Sequence, residues 1–158
     1  MKIFALIMIA ISAAVSIAIS YFLSDRAKVS TELWADQLRI TKDSVVARGS
    51  AIARMPSWSG RADRWLGQRK DSTYVLDGDP VIWSGAYQIL AQTFHLSQQG
   101  PGDSLWAFNG VHLGTQADSM GRCDQMAAEQ LRARIRSRKM DLMDLETNAQ
   151  ALFYPDAS

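Results

Sequence analysis

Cys123, His112 and His95 are the only side chains of the nucleophile or metal-ligand type beyond serines and carboxylates. A Cys123–His112 pair would make a thiol–imidazole dyad, with the thiolate attacking and the imidazole moving the proton. Its flanks carry no thiol-enzyme signature, and a lone cysteine commonly serves as a small buried apolar residue. The two histidines lack metal-ligand spacing. Asp77, Asp79, Asp103 and Asp118 form a second group, able to bind a cation or do acid–base work if they converged. Each falls at a predicted turn or helix start, where aspartate also caps backbone groups. The Asp77-Gly78-Asp79 unit lacks the trailing glutamate of a calcium loop.

Contact chemistry is better represented. Arg132, Arg134, Arg136, Arg138 and Lys139 make the densest basic run, followed by Asp141, Asp144 and Glu146. On a helix alternate residues point about 200° apart, so these charges make no single stripe and no stacking aromatics interleave them. Nucleic acid is therefore not an expected partner. Of five tryptophans, Trp83 and Trp106 fall in predicted strands and read as core. Trp58 and Trp65 lie in a basic loop and read equally as core or as interface anchors. The interaction candidates are Trp58, Trp65, Leu131, Arg134, Ile135, Arg138, Leu142 and Leu145. No cofactor, metal or small-molecule ligand is expected.

The elements that must position these groups follow from periodicity. Ile3 to Leu23 is an uncharged apolar run, long enough as a helix to cross a bilayer core, and is assigned to membrane lipid as a signal anchor. Ala18-Ile19-Ser20 leaves a cleaved signal peptide open, and with it a secreted product. Ser12, Ser16 and Ser20 share one helical face. Arg26, Lys28, Arg39 and Lys42 follow the run and favour a cytoplasmic body on the positive-inside count. The Met-Lys start favours export; the expected placement is a single-pass inner-membrane protein with a periplasmic body.

Trp34, Leu38, Thr41, Val45, Arg48, Ile52 and Met55 keep a 4-3 spacing that predicts a helical stalk ended by Pro56. Residues 74–76 and 81–83 predict strands around the turn at Asp77–Pro80. Residues 85–97 predict a short helix through Ala86, Ile89, Leu90, Thr93 and Phe94. Asn109-Gly110 predicts a hairpin between 105–108 and 111–113. Ala128, Leu131, Ile135, Arg138, Leu142, Leu145, Ala149 and Leu152 predict a long C-terminal amphipathic helix, a coiled-coil seam or a helix laid on a sheet. The resulting fold class is α+β: a membrane helix (1–24), a helical stalk (25–56), and a domain (57–158) with a small hairpin-built antiparallel sheet and the long helix.

Composition bounds the rest. The chain has 158 residues, Lys+Arg 17 against Asp+Glu 16, and one cysteine, which excludes a disulfide scaffold and a generally basic coat. The near-neutral total hides blocks of +5 over 25–70, −5 over 71–121, +4 over 122–139 and −4 over 140–158. Alternating blocks suit contacts through complementary patches. The layout alone, with no shared motif, resembles the inner-membrane platform subunits of type II secretion and type IV pilus machines. The expected function is a non-enzymatic, membrane-tethered interaction or assembly subunit of a bacterial envelope complex of secretion, pilus or conjugation type. Its protein partner, or a second copy, is expected on the heptad helices. A small envelope hydrolase or lysis factor, using Cys123, His112 or the aspartates, is one alternative; an exclusion or immunity protein of a mobile element is another.

Overall fold

The computed structural model describes residues 32–99, 102–117 and 121–154, all in strands, turns and connecting segments. In chain order the strands are β1 (Glu32–Trp34), β2 (Gln37–Ile40), β3 (Ser44–Arg54), β4 (Ser59–Gln68), β5 (Thr73–Asp77) and β6 (Val81–Ser84). They continue as β7 (Tyr87–Leu90), β8 (Thr93–Ser97), β9 (Asp103–Thr115), β10 (Gln125–Arg136), β11 (Lys139–Glu146) and β12 (Gln150–Leu152). Every pairing is antiparallel. The fold is all-β and barrel-type, and the α+β expectation is overturned.

The pairing closes a six-strand antiparallel ring, β4–β5–β8–β9–β7–β6 and back to β4. Its registers show how. β5 and β6 lie end to end along one edge of β4, opposite Arg64–Gln68 and Ser59–Arg61 respectively. β7 and β8 lie end to end along β9 in the same way. β1 and β2 share an edge of β3, and β11 and β12 share an edge of β10. The chain is thus an eight-line meander in which four lines run through and four are broken at one level.

That level is a crease across the whole sheet. Alternate lines cross it with two consecutive residues of positive φ: Gly49-Ser50, Gly78-Asp79, Asn109-Gly110 and Thr147-Asn148. The intervening lines each supply one backbone N–H that bridges to the neighbouring crease. Asp36 donates to Gly49 O at 3.0 Å, Asp63 to Gly78 O at 3.3 Å, Gln92 to Phe108 O at 3.2 Å and Glu129 to Thr147 O at 3.0 Å. Left-handed residues turn a strand sharply without losing its ladder on either side, which is the geometry of a β-bulge. Repeated in register, the bulges fold the sheet over, so two half-sheets bury one face each.

The core lies between those faces. Ala47, Ala53, Trp65, Leu76, Ile82, Ile89, Phe94, Leu105, Leu113, Leu131 and Ile135 belong to one buried cluster drawn from both halves. Along β10 the pattern after the bulge is strict: Leu131, Ala133 and Ile135 are buried while Arg132, Arg134 and Arg136 are exposed. This is period 2, and it corrects the predicted C-terminal helix. Two of the 3-residue steps that suggest a helix, Ala128 to Leu131 and Ile135 to Arg138, fall at disruptions in that period. Ala128 to Leu131 spans the β9–β10 register shift, and the β10–β11 register shifts beside Ile135 and Met140.

The other helices fail for the same reason. The described part of the stalk segment, 32–56, holds β1, β2 and β3, and the inward Val45, Ala47, Ala51 and Ala53 of β3 alternate on either side of Gly49-Ser50. Residues 85–97 are β7 and β8, separated at 91–92. The strands around Asp77–Pro80 exist, but they do not pair with each other. Asn109-Gly110 is no hairpin; it is the crease inside the 13-residue β9. Among the described residues there is no heptad helix, so they hold no coiled coil and no helical surface for a partner or second copy, and they do not have the platform-subunit layout. Among the described residues no helix is long and apolar enough to cross a membrane. The single-pass placement therefore finds no helix to carry it, and the 3–23 segment lies outside the described residues.

Candidate functional site

At the ends away from the crease the two half-sheets meet without a strand ladder. The β3–β4 connection (55–58) and the β6–β7 turn belong to one half, and the β10–β11 turn Ser137-Arg138 to the other. Arg138 Nε donates to Pro56 O at 3.0 Å. A Cβ placed on Gly85 would lie 2.5 Å from Arg138 O, so the turns touch backbone to backbone. Ser84 Oγ donates to Ser57 O at 3.1 Å and ties β6 to the same connection. Both turn residues, Ser137 and Arg138, have positive φ, 49° and 62°. Neither is the Asn or Gly that a two-residue turn of this type prefers, and each left-handed L-residue costs roughly 1–2 kcal/mol. The contacts to Pro56 and Gly85 hold this turn in place.

This seam carries a cleft of about 500 Å3 lined by Arg54, Met55, Ser57, Trp58, Ser59, Trp83, Gly85 and Arg138. Trp58 is buried at 2% exposure, whereas Trp83 is 38% exposed and forms an aromatic wall. Arg54 and Arg138 supply two guanidinium groups, and among the described residues no carboxylate lines the cleft. Arg54 also stacks over Trp34, 5.3 Å from the ring centroid, and has a loose 3.8 Å ion pair with Glu32. That exposed pair binds weakly and yields readily to a better anion. The cleft therefore offers donors, positive charge and flat apolar surface.

Beneath the seam lies a polar cluster. Asp103, at the start of β9, is buried, and its Oδ2 has no hydrogen-bond partner. Burial pushes the Asp103 carboxyl above the usual carboxylate range, while the Ser57, Gln98 and Trp58 side chains pull it back. Trp58 Nε1 nonetheless makes no hydrogen bond of standard geometry. Tyr74 donates from its hydroxyl to Gln98 Oε1 at 3.0 Å. Burial, and then the negative charge of Asp103, push the Tyr74 hydroxyl above its ordinary range.

Of the interaction candidates, Trp58 and Arg138 come together here from opposite ends of the described chain. Trp65, Leu131 and Ile135 are buried in the core, and Leu145 packs against it. Arg134 and Leu142 are cross-strand neighbours on β10 and β11. Arg134 bonds Asp141 at 3.1 Å, and Arg136 reaches the same carboxylate at 3.7 Å.

Among the described residues the chemistry-bearing side chains lie on separate elements. His112 is exposed on β9 opposite Ala127 and Leu90, and Cys123, half-buried, accepts from Gln125 Nε2 at 3.5 Å. His95 stacks edge-on against Phe108. Asp77 pairs with Arg64, Asp79 occupies the crease and Asp118 lies outside the described residues. Among the described residues no group of three or more His, Cys, Asp or Glu side chains is placed to hold a metal ion. Arg54, Trp83 and Asp103 are the site residues that periodicity did not single out as contacts. Arg54 and Trp83 share a cleft because β3 and β6 both flank β4, a relation visible only in the registers. No protein-family model matches the chain, and no curated protein matches it.

Proposed function

We propose that this chain is a non-enzymatic interaction module whose seam cleft receives an acidic, aromatic-bearing segment of a partner protein. One observation carries the reading: Arg54, Arg138 and the exposed Trp83 converge on a cleft with no carboxylate among its described lining residues. Arginine and tryptophan are the side chains that dominate binding energy at protein interfaces, because a guanidinium grips a carboxylate in two places and an indole buries a large flat area. The block charge pattern supports the same reading, since +5 over 25–70 and +4 over 122–139 bring Arg54 and Arg138 to one seam.

The test is fluorescence anisotropy on the full chain, kept in a non-ionic detergent, with a labelled octapeptide of alternating Glu and Phe. The peptide with Gln in place of Glu is the control. Binding of the Glu peptide that weakens steeply with salt is the expected result. Equal binding of both peptides, or of neither, rejects the proposal.

A further inference from the structure

Two clefts share three strands. The seam cleft takes Arg54 from β3, Ser59 from β4 and Trp83 from β6, which are cross-strand partners in one row. Two residues along, Ile52, Arg61 and Val81 form the next row. Beyond it, at the crease, Ser50, Asp63 and Asp79 continue the same three lines. Ser50, Ile52, Arg61, Asp63 and Asp79 line a second cleft of about 320 Å3. Side chains alternate along a strand, so the three rows share the outward face. The residues between them, Ala51, Ala53, Gly60, Ala62 and Ile82, are buried.

This strip changes sign along its length. Its seam end carries Arg54 and Arg138. Its crease end carries Asp63 and Asp79, both exposed. The backbone places Asp63 there: its N–H donates to Gly78 O at 3.3 Å, and a Cβ on Gly78 would lie 2.6 Å from Asp63 Cβ. Only a glycine leaves that carboxylate its place. Asp63, Asp79 and Arg61 make no ion pair with any described residue, so the charges at this end are available to a ligand. Between the two ends lies apolar surface, with Ile52 44% exposed on the row next to that of Trp83. The first and third rows are four residues apart on a strand, or about 13 Å.

We infer that the whole strip receives one extended partner segment with an acidic residue at position i, an apolar or aromatic residue at i+2 and a basic residue at i+4. The acid meets Arg54 and Arg138, the apolar side chain lies between Trp83 and Ile52, and the base meets Asp63 and Asp79. This rests on the seam reading above and adds the charge order and spacing of the partner. An extended segment turns i, i+2 and i+4 to one face with the same rise as the strands beneath it. Charge fixes its direction, because the opposite orientation sets acid on carboxylate and base on guanidinium.

Three labelled heptapeptides test it by fluorescence anisotropy on the full chain in non-ionic detergent. They are Ser-Glu-Ser-Phe-Ser-Lys-Ser, its isomer Ser-Glu-Ser-Phe-Lys-Ser-Ser, and Ser-Glu-Ser-Phe-Ser-Gln-Ser. The isomers have equal composition and net charge, but the second turns its lysine to the opposite face. The first isomer is expected to bind about threefold more tightly than the second, the gain that an exposed ion pair supplies. Asp63→Asn with Asp79→Asn, its fold checked by far-UV circular dichroism, is expected to bind the two isomers alike. Asp79→Asn alone is the milder variant, since asparagine accommodates the left-handed backbone at φ 46°. It is expected to narrow the difference. Equal binding of the isomers to the parent, or a preference that survives in the folded double variant, overturns the inference. If the Gln peptide binds the parent while the isomers do not differ, the seam reading stands and this one falls. If none of the three binds, both fall.

Discussion

Arg138 Nε lies 3.0 Å from the carbonyl oxygen of Pro56, 82 residues earlier in the chain. This hydrogen bond joins the two ends of a folded sheet where no strand pairing does, and its two elements frame the cleft. Closure therefore rests on side-chain and turn contacts on this side, and on the crease on the other.

Removing that contact has a defined cost. A hydrogen bond from a charged donor contributes about 1.5–3 kcal/mol, less when exposed as here, so Arg138→Ala destabilises by about 1–2 kcal/mol. Arg138→Gly loses the same bond but relieves the left-handed backbone at φ 62°. The glycine variant therefore unfolds at a urea midpoint between those of the alanine variant and the parent. A glycine variant less stable than the alanine variant would remove backbone strain from the account.

Two glycines separate conformational strain from collision. Gly110 has φ +63° with nothing within 4 Å of an added Cβ, whereas Gly85 has φ +59° and Arg138 O at 2.5 Å. Gly110→Ala costs roughly 1 kcal/mol, the left-handed penalty alone. Gly85→Ala adds a backbone clash at the seam and is the more damaging by at least about 1 kcal/mol. Thermal melts of the two variants rank them directly.

Asp103 makes stability depend on pH. Its folded-state carboxyl lies above the ordinary value because of burial, so between those two values the folded chain binds the proton more tightly than the unfolded one. Stability is accordingly highest below the ordinary carboxylate value and falls as pH rises through the folded one. Asp103→Asn keeps the shape and removes the buried charge. Its melting temperature exceeds that of the parent at pH 7, and the advantage shrinks towards pH 4. A constant offset across that range would contradict the assignment.

Much of the local chemistry was legible in the sequence, and its global meaning was not. Asp77–Pro80 and Asn109-Gly110 are turn-forming by residue type, but a left-handed pair serves a hairpin and a bulge equally well. The distinction lies in whether the chain reverses, which depends on partners far away. Gly49-Ser50 and Thr147-Asn148 each lie inside an apolar pattern that fits a helix, so the pattern hides the turn they make. A strand with a bulge alternates, skips a residue and alternates again, and that produces steps of 3 and 4. The alternation of Arg132, Arg134 and Arg136 was the surviving period-2 signal, with Leu131, Ala133 and Ile135 between them. Trp58 and Arg138 suggest contact chemistry in the sequence on separate grounds. Their meeting required the fold-over, which no local pattern encodes.

The seam's preference for negative charge is the central claim, and charge reversal tests it most directly. Anisotropy is recorded for the Glu–Phe octapeptide and a Lys–Phe counterpart, on the parent and on the Arg54→Glu, Arg138→Glu variant, with circular dichroism confirming the fold. The account predicts that the parent binds the Glu peptide at least tenfold more tightly than the Lys peptide, and that the variant reverses this order. Unchanged preference in a folded variant would place the contact elsewhere and contradict the account.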